Sequence, residues 1–211
     1  MLDGVLEIAV LLVSVILHEN AHGVVALALG DRTAKASGRI TLNPLKHLDP
    51  VGSLILPAFL FVVHAPVFGY AKPVPVSPHN LKGKDRWGFA TVALAGPVCN
   101  VLIAIVCITA LRLQGGLVQV TNIRSLNGLL FFAFTINIFL AAFNLLPIPP
   151  LDGSRLLRPF IGAEGRRVLD RIEPFGFVIL LLLISTSLSE PLFRIVNFIQ
   201  HGILNVIPLP R

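Results

Sequence analysis

Apolar residues fall in long blocks, separated by polar stretches rich in proline and basic side chains. The first block covers residues 5–29 and is interrupted by Glu7, Ser14 and the cluster His18-Glu19-Asn20-Ala21-His22. Its length, closed by Gly30-Asp31, predicts one helix able to span about 30 Å of hydrocarbon. A second block at 88–111 contains Gly96-Pro97 and Asn100; a third at 127–146 runs into Pro147, Pro149 and Pro150; a fourth at 175–189 includes VILLLLI. Each predicts a further membrane helix. Residues 51–70 are apolar too, but Pro57, His64 and Pro66 suit a re-entrant hairpin better than a crossing. Beyond Pro191, Arg194, Asn197, His201 and Asn205 recur at helical spacing, which predicts an amphipathic interfacial helix, with a further span as the alternative. Ser37 to Leu42 reads as a short strand, and the prolines at 73, 75 and 78 predict an extended segment. The expected fold is an all-α polytopic membrane protein of about 4–6 membrane helices, with a re-entrant segment and short β or extended elements. Residues 1–211 read as a single membrane-embedded domain, with a catalytic core at 5–160 and C-terminal helices at 172–207.

Composition agrees with this pattern. Hydrophobic residues make up 55% of the chain and charged residues 13%, against roughly 45–50% and about 25% in soluble domains. The mean hydropathy is +0.82. The N-terminus, MLDGVLE, lacks the basic region of a cleavable signal, so the first helix is expected to be retained. The net charge of +6 would raise nucleic acid as a partner in a soluble protein. Here the basic residues lie between apolar blocks and form no stripe with interleaved aromatics, which argues against it. Cys99 and Cys107 fit no zinc or disulfide spacing and read as packing residues. Thirteen Lys and Arg residues lie in 31–50, 71–87 and 151–173, and only Arg112 and Arg124 in 112–126. The positive-inside rule places the first three stretches in the cytoplasm. That requires 51–70 to make no net crossing, and it brings His22 and Asp152 to the membrane from the same side. The expected location is the cell membrane, multi-pass, with the chemistry nearer the cytoplasmic face.

The chemistry starts at His18-Glu19-Asn20-Ala21-His22. Residues i and i+4 share one helical face, so both imidazoles can reach one zinc ion at about 2.0–2.1 Å. Glu19 beside them can take a proton from water that the metal has made more acidic. Three ionisable groups in the middle of a spanning run are costly without compensation, and a metal in a water-filled pocket would supply it. The blander alternative is a helix pair held by polar contacts. A catalytic zinc needs a third protein ligand and an open position. Asp152 is the candidate, because the prolines of Asn144-Leu-Leu-Pro-Ile-Pro-Pro-Leu-Asp152-Gly153 unwind the chain, and unwound backbone at membrane depth lines a cavity or is buried in protein. A helix-terminating turn with a solvent-facing Asp152 is the alternative.

Three motifs together, L-H18-E19-N-A-H22-G, A-G96-P97-V-C-N100 and F-N144-L-L-P-I-P-P-L-D152-G153, resemble the site-2 protease family of intramembrane zinc metalloproteases. T-L-N43-P44-L-K-H47-L-D49-P50 and A-K-P-V-P-V-S-P-H-N-L resemble its compact prokaryotic branch, and the likeness covers residues from about 10 to 160. The resemblance implies zinc held by His18, His22 and Asp152, Glu19 as catalytic base, and substrates that are transmembrane segments of other proteins. Asn144 matches a position that binds substrate or polarises its scissile carbonyl; read from residues alone it could equally tie two helices together. Many relatives carry a peptide-binding or nucleotide-sensing domain absent here, so a regulatory membrane partner is one expectation. The core is expected to begin at the motif helix.

Two rivals come from other classes. A divalent-metal transporter also carries intramembrane His, Glu, Asp and Asn, but would need several polar sites along a path and shows an inverted repeat. A catalytically silent homologue would bind membrane segments without cutting. His47 is a candidate partner of the site or a gate, His64 a weaker one, and His79 and His201 read as solvated or interfacial. Gly96 and Pro97 suggest close helix contact or a kink. The extended segment around Pro73 and Pro75 could hold a substrate strand by β-addition.

Overall fold

In a computed structural model, residues 2–62, 69–82, 86–114, 122–186 and 190–206 are described. The motif helix α1 (Leu2–Ala28) buries Ser14, His18, His22 and Ala26, one residue per turn on a single face. The opposite side exposes Val5, Ile8, Val13 and Val24. The polar stripe therefore faces the protein and the apolar surface faces outward, the arrangement a lipid environment favours. Gly30 ends the helix at φ 100°, in the left-handed region that favours glycine.

Helices α4 (Arg86–Leu113) and α5 (Leu126–Asn144) pack against α1 and each other. Ala93, Pro97, Asn100 and Ala104 are buried along α4; small residues there let the backbones approach. Below them Ile108, Leu111, Phe134 and Ile138 form the apolar core, closed by Leu192 and Val196 of α9 (Glu190–Val206). Between α1 and α4 lie α2 (Thr33–Ala36), two short turns and α3 (Leu56–Val62). The side chains of Asn43 and Asp49 cap those turns by accepting backbone N–H bonds from Leu45 and from Val51 and Gly52. This explains the Asn-Pro and Asp-Pro pairs at 43–44 and 49–50: the acid or amide caps, and proline opens the turn. After α5 the chain turns through its prolines into α6 (Asp152–Leu157), α7 (Ala163–Ile172) and α8 (Gly176–Ser185).

Trp87–Leu113 and Leu126–Asn144 are long and apolar enough to cross a membrane, and Ala163–Ser185 with Glu190–Asn205 makes a third candidate bent by 74°. The described residues thus support two or three crossings on this criterion, where the sequence suggested about 4–6. The difference comes from α1, which is not among these candidates, from α8, which has 10 residues, and from 51–70, whose described part is a π-helical turn and the short α3. His64 and Pro66 lie outside the described residues.

The expected strand at Ser37 to Leu42 does not form, and the described residues contain no strand. Gly38 adopts φ 61° and turns the chain. The segment at 69–77 is extended as predicted but has no ladder partner, because side chains and loop carbonyls take its backbone groups. Lys72 N–H donates to His47 O at 2.8 Å, Val74 N–H to Glu19 Oε2 at 2.8 Å, and Ser77 N–H to Asp31 Oδ2 at 2.6 Å. Arg39 donates to Lys72 O at 2.6 Å.

Candidate metal centre and active site

The sequence neighbours His18 and His22 and the distant Asp152 converge on one point. Asp152 Oδ2 lies 3.2 Å from His18 Nε2 and 3.2 Å from His22 Nε2, and the two Nε2 atoms are 3.0 Å apart. All three residues are buried. Helix α1 sets the imidazoles by its i, i+4 spacing. Asp152 arrives as the first residue of α6, after the proline turn has redirected the chain, so the solvent-facing alternative for Asp152 is excluded.

Each donor is aimed by a partner on its far side. His22 Nδ1 is 2.7 Å from Val92 O, a carbonyl that only accepts, so Nδ1 carries a proton and Nε2 is the nitrogen left to ligate a metal. His18 Nδ1 is 2.6 Å from Asn100 Oδ1. Asp152 Oδ1 accepts from Arg155 Nη1 at 3.4 Å, which turns Oδ2 toward the imidazoles. Two imidazole nitrogens and one carboxylate oxygen with outer hydrogen bonds make the donor set of a catalytic zinc site. The residues present fit zinc.

The space beside this cluster is set by Gly96 of α4. A Cβ added there would overlap His18 Cε1 and Nε2 and would lie 2.5 Å from His22 Nε2. No other residue lets α4 pass this close to both rings, which accounts for Gly96 of the A-G-P motif by close helix contact.

The cluster opens into a cavity of about 480 Å³. Glu19 lines it, with one carboxylate oxygen, Oε2, held by the Val74 amide. Asn144 lines it from the end of α5; one Nδ2 hydrogen goes to Leu140 O at 2.8 Å and the second is free to face in. Val15, Phe89, Leu140, Phe143, Phe177 and Leu180 make most of the remaining wall apolar. Tyr70 of the extended segment meets Phe177 of α8 edge to face, ring centroids 6.0 Å apart.

His47 is not in this cavity. It is 1% exposed, and its Nε2 lies 2.8 Å from Thr41 O. Together with its backbone bond to Lys72 it clamps the loop against the extended segment. Sequence reasoning gave no role to Asp31, which is fully buried and accepts from Thr33 N, Thr33 Oγ1, Ser77 N and Asn80 Nδ2. Burial alone would push its carboxyl up; these hydrogen bonds outweigh that and hold it below the usual carboxylate value. Its position after Gly30 looked like a helix stop and carried no other signal. Ser14, Asn137 and Arg155 were also missed, although Asn137 is an isolated amide in an apolar run, the kind of residue that marks an intramembrane contact.

An HExxH pair completed by a distant aspartate, inside apolar helices, fits the class of membrane-embedded zinc metalloproteases. The chain belongs to peptidase family M50, whose family model matches residues 6–186. Two curated relatives are named "Putative zinc metalloprotease": YwhC of Bacillus subtilis (strain 168) and Rip2 of Mycolicibacterium smegmatis. YwhC is 38% identical over 200 residues, covering 93% of this chain and 88% of its own. Rip2 is 32% identical over 193 residues, covering 91% and 71%. A third relative of that name, MJ0611 of Methanocaldococcus jannaschii, is 43% identical over 76 residues, 34% of this chain and 36% of its own. No solved structure matches the chain. The resemblance to site-2 proteases is therefore upheld: the chain is a zinc-dependent intramembrane metalloprotease acting on membrane proteins in a bilayer. The transporter reading finds no support, since the described residues hold one cluster of candidate metal donors.

Proposed function

We propose that the cavity is the active site, that His18, His22 and Asp152 hold one zinc ion, and that Glu19 is the catalytic base. The convergence of three aimed donor atoms beside an available carboxylate carries this reading. When bound, zinc supplies Lewis acidity that polarises the scissile carbonyl and lowers the pKa of water. Glu19, oriented by the Val74 amide, takes the proton of the attacking water and later gives it to the leaving amine. The second Nδ2 hydrogen of Asn144 steadies the negative charge that develops on the carbonyl oxygen. The apolar wall accepts side chains of a transmembrane segment.

The substrate strand lies along residues 69–76. Pro73 and Pro75 lack an amide proton and the amides of Lys72 and Val74 are engaged, so pairing centres on Ala71. Residues 1–211 act as one domain. Helix α1 crosses the membrane, and 51–70 is re-entrant, a reading supported by the contact of Tyr70 N–H with Gly52 O at 3.1 Å, which brings the ends of that segment together. The basic stretches face the cytoplasm, placing the site nearer the cytoplasmic side of the cell membrane.

The test uses purified protein in proteoliposomes with single-span peptides carrying a fluorophore and quencher. Zinc-dependent cleavage within or next to the apolar stretch, lost in Glu19→Gln, is expected. Cleavage that persists unchanged in Glu19→Gln would overturn the assignment of the base, and binding without cleavage by the wild type would return the chain to a silent binder.

A further inference from the structure

Three polar residues with no part in the chemistry above form a buried chain that ends on a ligand. Ser14 of α1, Asn137 of α5, Asn100 of α4 and His18 are all buried, with Asn100 and Asn137 at 0% exposure. No solvent competes for their hydrogen bonds, so each donor and acceptor must be matched within the set.

The matching has only one solution. Ser14 Oγ donates its single hydrogen to Val10 O at 2.8 Å, so toward Asn137 it accepts. Asn137 Nδ2 donates to Ser14 Oγ at 2.8 Å and to Ala133 O at 2.8 Å. A flipped Asn137 would set its Oδ1 against the Ala133 carbonyl, two acceptors in contact, so the amide is locked. Asn137 Oδ1 then faces Asn100 and accepts from its Nδ2 at 2.7 Å. That leaves Asn100 Oδ1 toward His18 Nδ1 at 2.6 Å, where it can only accept.

We infer that Asn137, anchored by the Ala133 carbonyl and Ser14, acts through Asn100 as a positioning residue that fixes the His18 proton on Nδ1 and keeps Nε2 free for metal. The inference rests on His18 being a zinc ligand. Without Asn137, Asn100 can turn its Nδ2 toward His18 and favour the opposite tautomer, whose Nε2 carries the proton and cannot ligate. The relay also couples metal affinity to the packing of α5 on α1 and α4.

The test is zinc affinity by chelator competition on purified, folded variants, with helicity and unfolding temperature recorded alongside. Asn137→Leu is expected to weaken zinc by about 10- to 100-fold, the range for partners of metal-binding histidines. Asn100→Asp supplies a carboxylate that accepts from Nδ1 however Asn137 is arranged. Its second oxygen then meets Asn137 Oδ1, two acceptors in contact, so in that background Asn137→Leu is expected to leave zinc affinity unchanged or tighter. Asn100→Leu, which removes the acceptor directly, serves if Asn137→Leu does not fold, and should lose zinc to the same extent. Wild-type zinc affinity in a folded Asn137→Leu or Asn100→Leu protein would overturn the relay, as would an equal loss from Asn137→Leu in the Asn100→Asp background. A wild type that binds no zinc would instead defeat the ligand assignment.

Discussion

Adding one methyl group at Gly96 is expected to weaken the proposed metal centre without replacing a ligand. In Gly96→Ala the new Cβ lies 2.5 Å from His22 Nε2, about 0.9 Å inside ordinary contact at 3.4 Å, and it overlaps the His18 ring as well. Both rings are tied at Nδ1, to Asn100 and Val92, and α4 cannot retreat without opening its packing on α1. Overpacking of this kind costs about 1–3 kcal/mol. Displaced imidazoles relieve it, but zinc requires its donors within about 0.2 Å of ideal distance, so the metal-bound form carries the cost. At 1.4 kcal/mol per tenfold, zinc affinity should fall by about 5- to 150-fold. Chelator competition measures it. Gly202→Ala on α9, where an added Cβ meets nothing within 4 Å, is the control and should match wild type. If Gly96→Ala bound zinc as tightly as wild type with an unchanged unfolding temperature, the close approach of α4 would not be setting the site.

Further outcomes follow from the same geometry. Glu19→Gln should retain zinc while losing about 10²- to 10⁴-fold in turnover, read by peptide cleavage and metal content on one sample. Asn144→Ala should lower kcat by about 10²- to 10³-fold if its amide meets the developing oxyanion, with zinc content unchanged; loss of zinc instead would make it a packing residue. Asp31→Asn should destabilise the fold by about 2 kcal/mol at neutral pH, since hydrogen bonds to a charged acceptor are lost. Because the folded carboxyl lies below its ordinary value of 3.8, that contribution is full above about pH 4 and fades as pH falls through the folded value. The stability gap between wild type and Asp31→Asn should therefore close on acidification; a gap independent of pH would refute the role of the charge.

The main helices were legible because membrane burial writes itself as long apolar blocks, and α1, α4 and α5 lie within a few residues of the predicted positions. The shared direction of His18 and His22 was legible because a helix converts i, i+4 spacing directly into it. Asp152 needed the proline turn, whose disruption of the helix is local, while its final direction depends on packing. Less could be read where partners are distant in sequence. Whether Ser37 to Leu42 pairs as a strand depends on what holds 69–77, and those holders, Glu19, Asp31, Arg39 and His47, come from other segments. The role of Gly96 is likewise set by what stands opposite. The count of crossings was harder to read, because an apolar run does not reveal where it bends, as the chain does between α8 and α9.

The decisive measurement is the zinc content of purified wild type and Asp152→Ala after reconstitution. About one zinc per chain in the wild type, lost or sharply weakened in the variant, is the predicted result. A wild type that stays metal-free, or a variant that holds zinc as tightly as wild type, would contradict the three-ligand centre.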